Sequence, residues 1–223
     1  SHELKTPLTS IQGFSQAILD GTADDPDSVG RSASIIHGEA GRMHRMVEEL
    51  LGLARFDAGQ VELAQDKVDL SIVLSKCVER MGPQAETAGN ELLLSAQDGL
   101  IVTGDADWLT QVFINLIDNG IRHTSDARVD VAASETDGWI EVSVTDNGEG
   151  IPPEDLDRVF ERFYQADRSR QRKGGVGLGL SIAREVVQRH GGDISAESMV
   201  GLGTRFTVHL PARRSDRDKP GDG

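Results

Sequence analysis

Leu4, Leu8, Ile11, Phe14 and Ile18 recur at spacings of four, three, three and four, which lays one apolar stripe along a first helix. The run Asp20-Gly21-Thr22-Ala23-Asp24-Asp25-Pro26 then breaks the period with turn-forming residues. A second stripe follows, with Ile36, Met43 and Leu50 seven apart and Met46 and Leu53 between them. A seven-residue period favours a supercoiled pair of helices. One stripe per helix makes a hairpin only two helices thick. It is closed either by a second copy of the chain, as a homodimeric four-helix bundle, or by packing on the rest of the chain.

Beyond Asp57-Ala58-Gly59-Gln60 the pattern becomes mixed. Val61–Leu63 together with Val68 suggests a short strand, and residues 70–88 suggest a helix. Leu92-Leu93-Leu94 and Leu100-Ile101-Val102 are apolar runs of strand length. Residues 105–122 carry a strong helical stripe through Leu109, Val112, Phe113, Leu116 and Ile117, with Asp105 placed to cap it. Arg128–Ala133 and Trp139–Val144 alternate as strands about the turn Glu135-Thr136-Asp137-Gly138. A helix at about 176–190 and strands near 193–198 and 204–210 follow. The fold class expected is α+β: a helical hairpin over 1–58, a linker over 59–65, and an α/β sandwich over 66–212. The charged end 213–223 contains Pro and Gly and is expected to be a disordered tail.

Acidic residues number 37 against 23 Lys and Arg, a net charge of −14. Such a field repels nucleic-acid backbone and anionic lipid, so neither is expected as a partner. No apolar run is long enough to span a bilayer. The one cysteine, Cys77, excludes an intramolecular disulfide framework and a Cys-rich zinc site, and it fits a reducing, cytoplasmic setting. The chain opens at Ser1-His2 without a Met, so it is expected to be a piece of something longer.

Three glycine-rich segments stand out. Asp146-Asn147-Gly148-Glu149-Gly150-Ile151 follows a strand, Gly174-Gly175-Val176-Gly177-Leu178-Gly179-Leu180 opens a helix, and Gly201-Leu202-Gly203-Thr204-Arg205-Phe206 leads into a strand. The second offers backbone N–H groups at a helix N-terminus, where the dipole favours phosphate. Each alone is more often a tight turn than a site. The dinucleotide fingerprint, the P-loop and the Ser/Thr-kinase signatures do not match. On the helix at 105–122, Asn115 and Asn119 lie four apart and so share a face. Two such poor helix formers side by side suit a polar task, since amide oxygens are ligands for a hard cation such as Mg²⁺.

In this order the segments resemble the catalytic domain of bacterial two-component sensor histidine kinases, with its Bergerat-type ATP-binding fold. Asn115–His123 resembles the N box, Asp146–Ile151 the G1 box, Phe160-Glu161-Arg162-Phe163 the F box, Gly174–Leu180 the G2 box and Gly201–Phe206 the G3 segment. Ser1-His2-Glu3-Leu4-Lys5-Thr6-Pro7-Leu8-Thr9 resembles the H box of the dimerisation and phosphotransfer domain. The resemblance covers nearly all of residues 1–211.

It implies an ATP-dependent protein-histidine kinase with Mg²⁺ as cofactor, acting as a homodimer and passing the phosphoryl group to the receiver domain of a response regulator. His2 is the implied phosphoacceptor, Glu3 its general base, and Thr6 the residue that positions water when the regulator is dephosphorylated. Asn115 is the implied Mg²⁺ ligand, and Asn119 holds phosphate or the metal's water. Asp146 accepts from the adenine amino group, with Thr204 assisting. Gly148 and Gly150 let the base lie close, and Gly175, Gly177 and Gly179 frame the phosphates. Arg122, His123 and Lys173 are candidate phosphate contacts, and Arg162 a candidate for stabilising charge on the transferred group. Pro7 is expected inside the first helix, because Leu4 shares the stripe with Leu8. Gln111 stands where related ATPases of the gyrase type carry a water-activating Glu, and a neutral amide is no general base. Gly120 stands where Ala is common, at a cost of about 1 kcal/mol to the helix.

Overall fold

The computed structural model describes residues 2–57, 62–124, 128–164 and 177–213; within these, the side chains of 2–4, 45, 48, 49 and 52–57 are excepted. The chain forms two compact units, Ser1–Val61 and Glu62–Gly223.

The first unit is a hairpin of α1 (His2–Leu19) and α2 (Pro26–Asp57). Pro7 lies inside α1 and is buried. The Asp25 carboxylate caps α2, accepting from the backbone N–H groups of Asp27 and Ser28 at 2.8 and 2.9 Å, while Pro26 takes the first helical position, where a missing N–H costs nothing. Met46 of α2 and Ala23 of the turn that joins the helices are buried. Ile11, Phe14, Ile18, Ile36, Met43 and Leu50 are only half-buried. Leu8, Val47 and Leu51 are exposed.

The second unit begins with β1 (Asp66–Asp69), α3 (Leu70–Thr87), β2 (Glu91–Ala96), β3 (Ile101–Gly104) and α4 (Ala106–Arg122). The hairpin β4 (Arg128–Thr136) and β5 (Trp139–Asp146) follows, then α5 (Pro153–Leu156), α6 (Gly179–Arg189), β6 (Asp193–Met199) and β7 (Gly203–Pro211). Five strands form one sheet in the order β2-β4-β5-β7-β6. The β2–β4 pair is parallel and the others antiparallel, so the sheet is mixed. The β4–β5 turn has only two residues, Asp137 and Gly138, both at positive φ, which suits a tight antiparallel hairpin.

Along β4, β5 and β7, Val129, Val131, Ile140, Val142, Val144, Phe206, Val208 and Leu210 alternate inward and are buried. They meet Leu109, Val112, Phe113, Leu116 and Ile117 of α4 and Ile182, Ala183, Val186 and Val187 of α6. Each fully buried aliphatic or aromatic side chain contributes roughly 1.5–3 kcal/mol of transfer free energy. That fixes the helices to one face of the sheet.

Several expectations shift. The strand expected over Val61–Leu63 and Val68 is β1, Asp66–Asp69. Its antiparallel partner β3 ends at Gly104, opposite Asp66, because Asp105 turns away to cap α4. β1 and β3 therefore form a separate two-stranded sheet. The last helix starts at Gly179 rather than near 176, and residue 176 itself lies outside the described residues. The one-turn α5 has too short an apolar pattern to be anticipated. Arg213, expected in the tail, donates its backbone N–H to the Ile101 carbonyl at 2.7 Å. Residues 214–223 lie outside the described residues.

Candidate functional site

The end of β5, the end of α4 and the β6–β7 turn meet at Asp146. Gly120 is what lets α4 lie this close. A methyl group there would start 3.2 Å from Val129 Cγ1 and 3.7 Å from Asp146 Cβ. The packing therefore accounts for a residue that helix propensity disfavours. Asp146 is 5% exposed. Its Oδ1 accepts from the Gly148 N–H at 2.9 Å. Burial pushes its carboxyl above the ordinary value of 3.8, while the N–H groups of Gly148 and Thr204, the Thr124 hydroxyl and nearby His123 pull the other way. Gly148 cannot carry a side chain, because its Cβ would sit 2.6 Å from Thr124 Oγ1 and 2.9 Å from Asp146 Oδ1.

Two of the glycines are closed in by protein backbone. Gly150 has φ +71°, and a Cβ there would lie 2.7 Å from Met199 C and 2.9 Å from Val200 Cα. Gly203 has φ +108°, and its Cβ would lie 2.7 Å from Asn147 Cα. The loop after β5 and the turn after β6 are thus packed backbone on backbone. Gly201 N–H donates to Glu149 O at 2.8 Å, and Ile151 N–H to Ser198 Oγ at 2.8 Å. Ser198 Oγ also lies 2.9 Å from Thr204 Oγ1, which ties the Thr204 hydroxyl to the same cluster beside Asp146.

Asn115 and Asn119 are half-buried on one face of α4. Asn115 Nδ2 donates to the Gly179 carbonyl at 3.0 Å, and Gln111 Nε2 donates to Asn115 Oδ1 at 2.8 Å. Gly179 opens α6, and a side chain there would start 3.4 Å from Asn115 Cγ. Arg122 pairs with Asp118 one turn back at 2.6 Å, and Gln84 Nε2 holds the other Asp118 oxygen at 2.6 Å. His123 follows the last residue of α4, with Nδ1 3.3 Å from Glu149 Oε1 in the loop after β5.

Gly177 has φ +73°, and its carbonyl accepts the Phe163 N–H at 2.8 Å. Phe160 is edge-on to Phe206 with ring centroids 6.2 Å apart, and Arg162 is exposed beside it in sequence. Lys173 and Gly175 lie outside the described residues. In the other unit, His2 and Glu3 open α1 but their side chains lie outside the described set; Thr6 is exposed on the same helix. The structure thus gathers Asn115, Asn119, His123, Asp146, Gly148, Gly150, Gly177, Gly179 and Thr204 around α4 and the strand ends of one unit. It leaves His2, Glu3 and Thr6 in the other.

Residues 1–59 match the family described as His Kinase A (phospho-acceptor) domain. Residues 104–214 match the family described as Histidine kinase-, DNA gyrase B-, and HSP90-like ATPase. A solved mycobacterial sensor histidine kinase, MprB, is 30% identical, with a TM-score of 0.60, over 68% of this chain and 100% of that one. The chain belongs to the sensor histidine kinases. The curated Sensor protein SrrB of Staphylococcus aureus is 36% identical over 213 residues, 95% of this chain. The chain spans only about a third of that relative, 36% of its length. The histidine kinase ThkA, solved in complex with the response regulator protein TrrA, is 25% identical with a TM-score of 0.76 over 95% of this chain and 59% of that one.

Three residues that shape the site carried no sequence signal. Asn90 is buried and donates from Nδ2 to the carbonyls of Ile121 and Thr124 at 3.0 and 3.2 Å, which supplies partners for the open end of α4. Thr124 is buried against Asp146. His190 at the end of α6 accepts the Asp105 N–H on Nε2 at 3.0 Å and donates from Nδ1 to the Val186 carbonyl at 2.7 Å. The Asn90 bonds to Ile121 and Thr124 and the His190 bond to Asp105 join residues 31, 34 and 85 positions apart, a separation that local spacing does not reveal.

Proposed function

We propose that this chain is the autokinase core of a two-component sensor: it binds Mg-ATP, phosphorylates His2, and donates that phosphoryl group to an aspartate of a response-regulator receiver domain. The observation that carries the reading is Asp146, a buried carboxylate at a strand end, walled by Gly148, Thr124 and Thr204. A buried acceptor with backbone on two sides suits a flat base bearing an exocyclic amine. The ATP-binding family match over residues 104–214 supports the nucleotide, and the phospho-acceptor family match over 1–59 supports the histidine.

Asn115 fits Mg²⁺. Its Nδ2 is committed to a carbonyl, so the end left for a ligand is a hard neutral oxygen, and Mg²⁺ is commonly held by one or two protein oxygens plus substrate phosphates. Bound there, the ion would neutralise charge on the phosphates and orient them. Asn119, one turn on, holds phosphate or the metal's water. Lys173, Arg162 and His123 supply cationic or hydrogen-bonding contacts to the phosphates, with Gly175, Gly177 and Gly179 giving backbone N–H groups. Arg122 takes part only by leaving or sharing Asp118.

In the transfer, one neutral imidazole nitrogen of His2 attacks the γ-phosphorus. A nitrogen–phosphorus bond forms, the bond to the bridging oxygen breaks, and ADP leaves. Glu3 accepts the proton from the other ring nitrogen. Thr6, one helical turn past His2, orients water for hydrolysis of the regulator's acyl phosphate. The half-covered stripe of α1 and α2, with Leu8, Val47 and Leu51 exposed, supports closure of the hairpin by a second copy. Among the described residues no helix is long and apolar enough to cross a membrane, and an ATP-consuming reaction of this kind belongs on the cytoplasmic side.

The test is incubation with γ-labelled ATP. Label on the protein should be acid-labile and base-stable, and His2→Gln should abolish it while ATP affinity stays within a few-fold. Label retained by His2→Gln would show that the acceptor is another residue.

A further inference from the structure

Position 111 has an amide that reaches toward the metal-binding asparagine rather than toward water. Gln111 Nε2 donates to Asn115 Oδ1 at 2.8 Å, from one turn earlier on α4. On its other side Asn115 Nδ2 donates to the Gly179 carbonyl at 3.0 Å. We infer that Gln111 is a positioning residue that holds the Asn115 carboxamide with its oxygen presented to a divalent cation. The inference rests on Asn115 being the metal ligand, as proposed above.

The physical need comes from the chemistry of the amide. A carboxylate shows a metal oxygen whichever way it turns. A carboxamide shows oxygen in one orientation and an NH₂ group in the other, and NH₂ repels a cation. An asparagine serves as a ligand only if its flip is decided in advance. A carbonyl can only accept, so Gly179 demands the NH₂ end. Gln111, with its own Nε2 turned toward Asn115, donates to the oxygen end in that same orientation. The two bonds agree. They also come from different elements, since Gly179 belongs to α6 and Gln111 to α4 itself. The bond from Gln111 lies within α4 and does not depend on α6. The Asn115 oxygen has two lone pairs, so one bond from Gln111 leaves the second for the cation. A glutamate at 111 has no proton to donate and would set oxygen against oxygen. Gln at 111 thus has a positive role in metal binding, beyond its failure to act as a general base.

The experiment is a double-mutant cycle on the whole chain, read by calorimetric binding of a non-hydrolysable ATP analogue in Mg²⁺ and in EDTA. Gln111 is exposed, so Gln111→Ala should melt like the parent. It should reduce the Mg²⁺-dependent gain in affinity roughly three- to tenfold, as the loss of one exposed hydrogen bond would, and leave affinity in EDTA unchanged. In the Asn115→Ala background the same substitution should have no further effect. Parallel loss in Mg²⁺ and EDTA, no loss at all, or full additivity with Asn115→Ala would each overturn the positioning role. If Asn115→Ala by itself leaves the Mg²⁺-dependent gain intact, it is the metal-ligand assignment that fails.

Discussion

Replacing Asp146 by Asn should separate nucleotide affinity from folding, and the structure sets the sign of each. Gly148 N–H donates to Asp146 Oδ1 at 2.9 Å. An N–H group keeps an oxygen opposite it, so the new amide puts its NH₂ at the other position. There it would face the amino group of the adenine, donor against donor. The loss is that of a hydrogen bond to a charged acceptor, roughly 1.5–3 kcal/mol, and hence about ten- to 150-fold in Kd. Stability should move the other way. The carboxyl is buried enough for its pKa to be raised, so the empty domain carries a desolvation cost that a neutral amide lacks. Asp146→Asn should therefore keep or raise the Tm of the nucleotide-free protein while weakening the nucleotide. Calorimetric titration with ATP and a thermal melt without it measure both. Unchanged affinity in a folded variant would refute the adenine contact. Weakened affinity with a lowered Tm would mean that Asp146 holds the fold rather than the base.

The same carboxyl predicts a pH dependence: its folded pKa lies above 3.8, so its contribution to the stability of the empty domain is present at low pH and lost as pH rises through the folded value, whereas ATP affinity should fall as pH drops through that window. Asp146→Asn should flatten the affinity profile there, and an unchanged profile would contradict the assignment. Gly203→Ala, at φ +108° against the Asp146–Asn147 backbone, should destabilise by at least about 2 kcal/mol in urea, while Gly201→Ala, with no neighbouring atom within 4 Å, should cost about half that; equal midpoints would show that the two loops are not interlocked. His190→Ala leaves the Asp105 N–H without its acceptor and opens a hole beneath Gly104, for a loss of roughly 2–4 kcal/mol by denaturant titration, and an unchanged midpoint would remove His190 from the account of α4.

Much of this protein is written in one dimension. The helices α1, α2, α4 and the β4–β5 hairpin follow from periodicity and from local chemistry at Asp25, Asp105 and Asp137-Gly138, because those interactions join residues a few positions apart. The site's motifs are equally local: a pair of asparagines one turn apart, and glycines bunched where chains turn. What the sequence withholds is whatever needs two distant segments at once. The β1–β3 pair, the Asn90 and His190 bonds that bracket α4, and the burial of Thr124 against Asp146 exist only after the sheet has assembled. The glycines show the division most clearly. Their positions are legible, but only the structure shows that Gly150 and Gly203 are also closed in by the backbone of each other's loops. Similarly, Gln111 reads as a missing base, and only the placed amide of Asn115 shows that it is a donor with a target. Backbone contact and hydrogen-bond direction are properties of pairs of atoms in space, and spacing along a chain fixes them only when both atoms lie on the same turn or the same helix.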